Sequence, residues 1–338
     1  MIRTARRVSP RVYAGFTLIE LLISITIGLL VSVATFSAYI GASAASRTAN
    51  AQGRMNEDAQ AALLILSQQL RMSGNNPDRA DRVDDPDPSR SSRRNPVYGA
   101  TTFPTGTFTT SNFSVRGCDG QFSNINSATN LDTLDCSSGA SILPDSIAVN
   151  YEADSFNTIP TTTSTGGLPT DCLGKKLNTI VANLPAVVGA GSAVTTATYS
   201  VADNRFYIGT STSVVSPSLY CKGNGDSSTA RALVENVEDM QLTYGTASST
   251  SSSTVATVAG YLQASDLAAL SPPSNNPVLW GKVLTVRICV LVRSGDQVVS
   301  DASSARYFNC NGTLEPSPPD RRLRQAYFAT VVLRNRRL

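Results

Sequence analysis

The sequence predicts an α+β protein, with one long amino-terminal helix followed by an antiparallel, strand-rich body that carries long insertions. Three observations lead there. From Phe16 to Ser46 the only charged side chain is Glu20, in a run longer than the roughly 20 apolar residues that cross a bilayer as a helix. No proline occurs between Pro10 and Pro77, so nothing in that interval breaks a helical hydrogen bond as proline does. Beyond Asn95, short β-branched and aromatic runs alternate with Gly, Ser and Asn turns, which is a strand signature.

The leader, residues 1–15, holds Arg3, Arg6, Arg7 and Arg11 and no acid, so the positive-inside rule keeps this end in the cytoplasm. Residues 16–45 then read as the membrane segment, and residues 46–74 as an amphipathic continuation of the same helix. In that second half Ala59, Leu63, Leu66 and Leu70 recur at helical spacing, while Arg54, Glu57, Gln60, Gln68 and Arg71 fall largely on other faces. A stripe of this kind needs a folded body to cover it. Gly74, Asn75, Asn76 and Pro77 supply the stop, and residues 75–338 form the globular part, on the periplasmic side.

Glu20 is the anomaly of the first half. A carboxylate at membrane depth costs about 2.5–3.5 kcal/mol, which a passive anchor has no reason to carry. A secretory signal, for which Ala42-Ser43-Ala44 offers a cleavage site, has a shorter apolar core and no carboxylate within it.

Composition removes several function classes. Histidine is absent, which removes the commonest general base near neutral pH and the commonest metal ligand. The net charge of +3 is too small to indicate nucleic acid by itself, and no aromatic-interleaved basic stripe accompanies it. No phosphate loop, nucleophile elbow, zinc motif or paired-carboxylate arrangement occurs, so neither an enzymatic activity nor a cofactor is expected. Asp84, Asp85 and Asp87 lack the spacing and turn glycine of a calcium loop and read as part of a solvated Pro/Asp/Arg linker.

Six cysteines, Cys118, Cys136, Cys172, Cys221, Cys289 and Cys310, are widely spaced with no CxxC pair. An even number beyond a membrane segment implies disulfides in an oxidising compartment. Six cysteines allow about 15 pairings, among which sequence does not decide. Neighbour pairing is preferred: Cys118–Cys136, Cys172–Cys221 and Cys289–Cys310, each closing a loop worth roughly 3–4 kcal/mol.

The body is expected to place strands at FTTSNFSVRG, SIAVNYEA, TATYSVADNRFYIGT, ALVENVEDMQLTYG, KVLTVRICVLVRS and QAYFATVVLRNR. The Ser/Thr-rich segment near 246–260 reads as an exposed low-complexity insertion. Val283, Val286, Ile288 and Val290 are expected in the core, and the basic tail Arg334, Arg336 and Arg337 as a solvated end.

Gly15-Phe16-Thr17-Leu18-Ile19-Glu20, between a basic leader and an unbroken apolar helix, resembles the class III signal of type IV pilins and pseudopilins. Leu233–Gly245 resembles the segment before the insertion in PilW-type minor pilins, Trp280–Arg293 and Arg321–Arg336 resemble that group's closing strands, and with the helix they cover about a third of the chain. The resemblance implies the type IV pilin fold. It implies that a prepilin peptidase cuts between Gly15 and Phe16 and methylates the Phe16 amine. The new amine then has Glu20 of a neighbouring subunit as its partner; at about 4 Å and an effective dielectric of 20 such a pair is worth on the order of 4 kcal/mol. The implied partners are the peptidase, other minor pilins, the major pilin, the inner-membrane assembly platform and a PilY-type tip adhesin. The implied role is priming of pilus assembly from the inner membrane and residence at the fibre tip, in support of surface piliation, twitching motility and adhesion. J-type pseudopilins of type II secretion share the helix and much of the strand pattern but lack so long an inserted middle. A tip adhesin module is the remaining alternative, suggested by the Ser/Thr-rich insertions.

Overall fold

In the computed structural model, residues 15–76, 113–137, 143–162, 167–183, 196–247, 257–269 and 280–335 are described. The leader arginines, Asp84, Asp85, Asp87, Arg336, Arg337 and the centre of the Ser/Thr-rich segment lie outside them. The chain divides into two compact units, Met1–Asn50 and Ala51–Leu338.

Helix α1 runs Leu18–Met72, about 80 Å at 1.5 Å per residue. In the second unit its buried residues are Met55, Ala59, Ala62, Leu66 and Leu70. These positions follow the 3.6-residue repeat closely, so the stripe is straight and runs through Ala62 instead of the expected Leu63. Leu63 is only partly buried, on the flank of the core. The helix ends as its sequence demands: Gly74 has φ +76°, and a Cβ there would lie 2.8 Å from the Asn335 carbonyl oxygen. Glycine meets both conditions, since it takes positive φ without strain and has no Cβ.

Two antiparallel sheets share one core with this half of α1. The first has the order β1-β2-β4-β5-β6, with β3 also paired to β4. Its strands are β1 (Val115–Cys118), β2 (Ser146–Ala153), β3 (Ile180–Asn183), β4 (Thr196–Gly209), β5 (Ser218–Lys222) and β6 (Arg231–Glu235). The second has the order β12-β9-β7-β8, from β7 (Val237–Ala247), β8 (Val258–Leu262), β9 (Val283–Arg293) and β12 (Arg324–Val332). The hairpin β10 (Tyr307–Phe308) and β11 (Leu314–Glu315) and the short helix α2 (Ala264–Ala269) complete the body. Val283, Val286, Ile288 and Val290 are at most 1% exposed; the last three alternate along β9, and Val283 lies beyond the register shift between Gly245 and Thr246. The segment read as an insertion near 246–260 is narrower than expected. Thr246 and Ala247 close β7 and Val258–Gly260 open β8, the two strands pairing with each other.

The chain changes sheet at one residue. Asn236 separates β6 from β7 and has φ +64°, a left-handed conformation that Asn tolerates better than most residues. Its carbonyl accepts the Arg293 amide at 2.9 Å, and its Nδ2 donates to Asp58 of α1 at 3.4 Å. The LVENVEDMQLTYG segment is therefore two strands joined by a corner that is tied to β9 and to the helix.

Candidate assembly site

At the start of α1, Thr17 is the residue before the helix and Glu20 the third within it. The Glu20 Oε2 accepts the Thr17 backbone N–H and the Thr17 hydroxyl, both at 3.2 Å. The Thr17 Oγ1 in turn accepts the Glu20 N–H at 3.3 Å. This is a capping box, which satisfies amide donors that have no partner at a helix start, and it places the carboxylate at the positive end of the helix dipole. Among the described residues the second carboxylate oxygen, Oε1, has no partner. Among the described residues, a Cβ built on Gly15 meets nothing within 4 Å.

The remainder of the first unit suits an apolar medium. Its large apolar side chains from Phe16 to Ile40 are 51–84% exposed. The hydroxyls of Ser24, Thr26, Ser32, Thr35 and Ser37 donate to carbonyls three or four residues earlier. They need no water, which is the condition for polar groups in lipid or in a packed bundle. The helix is long and apolar enough to cross a membrane.

The body is braced from inside. Disulfides join Cys118 to Cys136, Cys172 to Cys221 and Cys289 to Cys310, with Cα–Cα distances of 5.5, 6.6 and 5.7 Å. Asp145, 5% exposed, bridges two parts of the chain: its Oδ1 accepts the Gly120 amide at 3.1 Å and its Oδ2 the Leu242 amide at 2.7 Å. Burial pushes its carboxyl up to about 7 against the lowering effect of those two donors, with Asp119 and Asp239 adding repulsion. The Tyr244 ring stacks edge-on against Trp280 with centroids 5.1 Å apart, and its hydroxyl fills the place where a side chain on Gly117 would stand. In the second sheet Arg324 pairs with Glu238 and Asp320 beneath the Tyr307 ring. Burial opposes the Arg324 charge, but the two carboxylates outweigh it and hold the guanidinium more firmly protonated than usual.

Sequence reasoning singled out Gly15, Phe16 and Glu20; the structure places Gly15 and Phe16 just before α1 and Glu20 in its first turn. It missed Thr17, although T-x-x-E before an apolar run is a legible capping signal. It also missed Asp145, Tyr244 and Asn236, whose partners are distant in sequence. No group of three or more His, Cys, Asp or Glu residues placed to hold a metal ion occurs among the described residues.

A long apolar amino-terminal helix joined to an antiparallel sheet body is an α+β arrangement consistent with the pilin fold. Residues 10–36 match the family model described as the prokaryotic N-terminal methylation motif, and residues 205–335 match that of Type IV Pilus-assembly protein W, PilW. Together the two matches are consistent with a PilW-type minor pilin of the type IV pilus. No curated protein and no solved structure shows significant similarity to the chain. The PilW match spans the end of β4 through β12, and so takes in the Asn236 corner and the whole second sheet. Pilin families are structural and non-enzymatic, and the family implies interaction with other pilins and with a prepilin peptidase. The apolar helix and the methylation motif point to membrane anchoring and pilus association.

Proposed function

We propose that the chain is a minor pilin, cut by the prepilin peptidase between Gly15 and Phe16 and methylated at Phe16. It is held in the inner membrane with its body in the periplasm, and assembles with other minor pilins into a complex that primes the fibre and stays at its tip. Surface piliation, twitching and adhesion follow from that role. Residues 16–45 leave lipid for an equally apolar fibre core, so transfer of the helix is nearly neutral and electrostatics sets the register.

The carrying observation is the state of Glu20. Its Oε2 is occupied by Thr17, while among the described residues Oε1 remains for a charge that the uncut chain does not carry at position 16. Cutting before Phe16 creates that charge as an ammonium. Because the carboxylate also caps its own helix, two substitutions separate its roles. Glu20→Gln keeps an oxygen for the Thr17 donors and loses the charge; Glu20→Ala loses both. Both variants are expected to insert and be cleaved, and both to be depleted from sheared fibres. Fibre incorporation of Glu20→Gln at the wild-type level would refute the register role and leave capping as the function of Glu20.

A further inference from the structure

The edge strands of the two larger sheets differ in how they are protected, and β3, off the main order, has only four residues. In the first sheet, β1 has four residues, and β6 has five with a register shift against β5. In the second sheet, β8 has five residues with a register shift against β7. Short strands and bulges are standard means of blunting an edge against unwanted pairing. β12 has neither. Its nine residues pair with β9 in unbroken register from Arg324 to Val332, it contains no proline and no lysine, and among the described residues nothing pairs with its other side. Among the described residues this leaves a backbone edge about 30 Å long without a paired strand.

The side chains at this edge are apolar where an isolated body would carry charge. Phe328 is 68% exposed and Val332 54%, on the same face of the strand as Thr330. Phe328 lies opposite Cys289, whose disulfide to Cys310 ties down the β10–β11 hairpin. That hairpin pairs Phe308 with Leu314, both exposed. Exposed arginines flank the edge, Arg321 before the strand and Arg334 after it, while Asp320 is taken up by Arg322 and Arg324.

We infer that the free edge of β12 docks an extended strand of another protein, one with an apolar or Thr-rich centre and acidic residues at both ends. Strand addition supplies the missing ladder bonds, and alternate side chains supply specificity. The charges select the partner. Two copies of β12 paired antiparallel about Phe328 would set the exposed Arg334 beside the exposed Arg321 and opposite Arg322, whose charge Asp320 offsets; like charges so placed destabilise a ladder. An acidic-ended strand meets Arg321 and Arg334 favourably. This inference rests on the sheet and its charges and is independent of the processing of the helix.

The test uses the full chain in detergent micelles with three labelled peptides. One is Glu-Glu-Thr-Val-Thr-Val-Thr-Val-Glu-Glu, the second has Lys in place of each Glu, and the third is the acidic peptide with a central Pro. Fluorescence anisotropy is expected to show binding of the acidic peptide alone, about tenfold weaker for Phe328→Lys and Val332→Lys. Leu64→Lys, an exposed helix position, is expected to bind as wild type. Hydrogen exchange of the bound complex is expected to protect alternate amides of Arg324–Val332. Thermal unfolding shows whether the variants keep their fold. Equal binding of acidic and Pro-interrupted peptides overturns the inference, as does undiminished binding by Phe328→Lys. Protection confined to the groove lined by Ile65, Met72, Phe156, Ile159 and Leu233 also overturns it. A peptide-free dimer that Phe328→Lys dissolves overturns it too, by making the occupant a second copy.

Discussion

The buried carboxyl of Asp145 gives the body a pH dependence of defined sign. In the unfolded chain an Asp titrates near 3.8, and in the fold this one is pushed up to about 7. The folded state therefore holds the proton over a range where the unfolded state has lost it. Stability from this group is fully present below the unfolded value and declines as pH rises through the folded one. A displacement of that size corresponds to about 4 kcal/mol between low and neutral pH, with a slope of at most about 1.4 kcal/mol per pH unit. Asp58 and Asp239 are displaced in the same direction and Asp320 in the opposite one, so the wild-type curve alone does not isolate Asp145. The difference between wild type and Asp145→Asn does. Asn keeps one acceptor for the Gly120 or Leu242 amide and cannot ionise. Urea unfolding of the full chain in detergent, read by near-ultraviolet circular dichroism at pH 4.5, 6 and 7.5, measures that difference. Asp145→Asn is expected to cost most at pH 4.5 and progressively less at higher pH. A cost independent of pH would refute the assignment of the raised carboxyl to Asp145.

Leu66 is fully buried and Leu64, two residues away, is 67% exposed. Leu66→Ala is expected to cost about 3 kcal/mol and Leu64→Ala within about 0.5 kcal/mol in the same unfolding assay; equal costs would mean the stripe is misplaced. Gly117→Ala puts a methyl where the Tyr244 hydroxyl stands, and is expected to cost about 1–3 kcal/mol. Tyr244→Phe, which removes that hydroxyl, is expected to recover part of the loss when combined with it, and strictly additive costs would show that the two positions do not touch.

The helix was legible because its signals are local. An unbroken apolar run, a stripe at the helical period and a glycine stop each depend on residues a few positions apart. The shift from Leu63 to Ala62 is instructive: both fit a helical period within one residue, and only the sheet surface decides which side chain faces it. Strands β2, β4, β9 and β12 were legible from β-branched runs, whereas β3, β5 and β8 were not. They are short, and Ser218–Lys222 and Val258–Leu262 become strands only because β4 and β7 lie beside them. At the assembly site, Gly15, Phe16 and Glu20 stood out as a charge misplaced in an apolar run. Thr17 did not, since a hydroxyl there is unremarkable until its bond to Glu20 is seen. Asp145 and Tyr244 were illegible because the Asp145 acceptors bind amides 25 and 97 residues away, and the neighbour that the Tyr244 hydroxyl excludes is Gly117.

The central claim is that this chain becomes a fibre subunit by being cut before Phe16, which creates the positive charge that Glu20 lacks. Mass spectrometry of the amino-terminal peptide, on protein purified from a piliated cell, tests it most directly. The expected peptide begins at Phe16 and carries one added methyl group on its amine. A peptide intact through Gly15, or a chain beginning after Ala44, would contradict it.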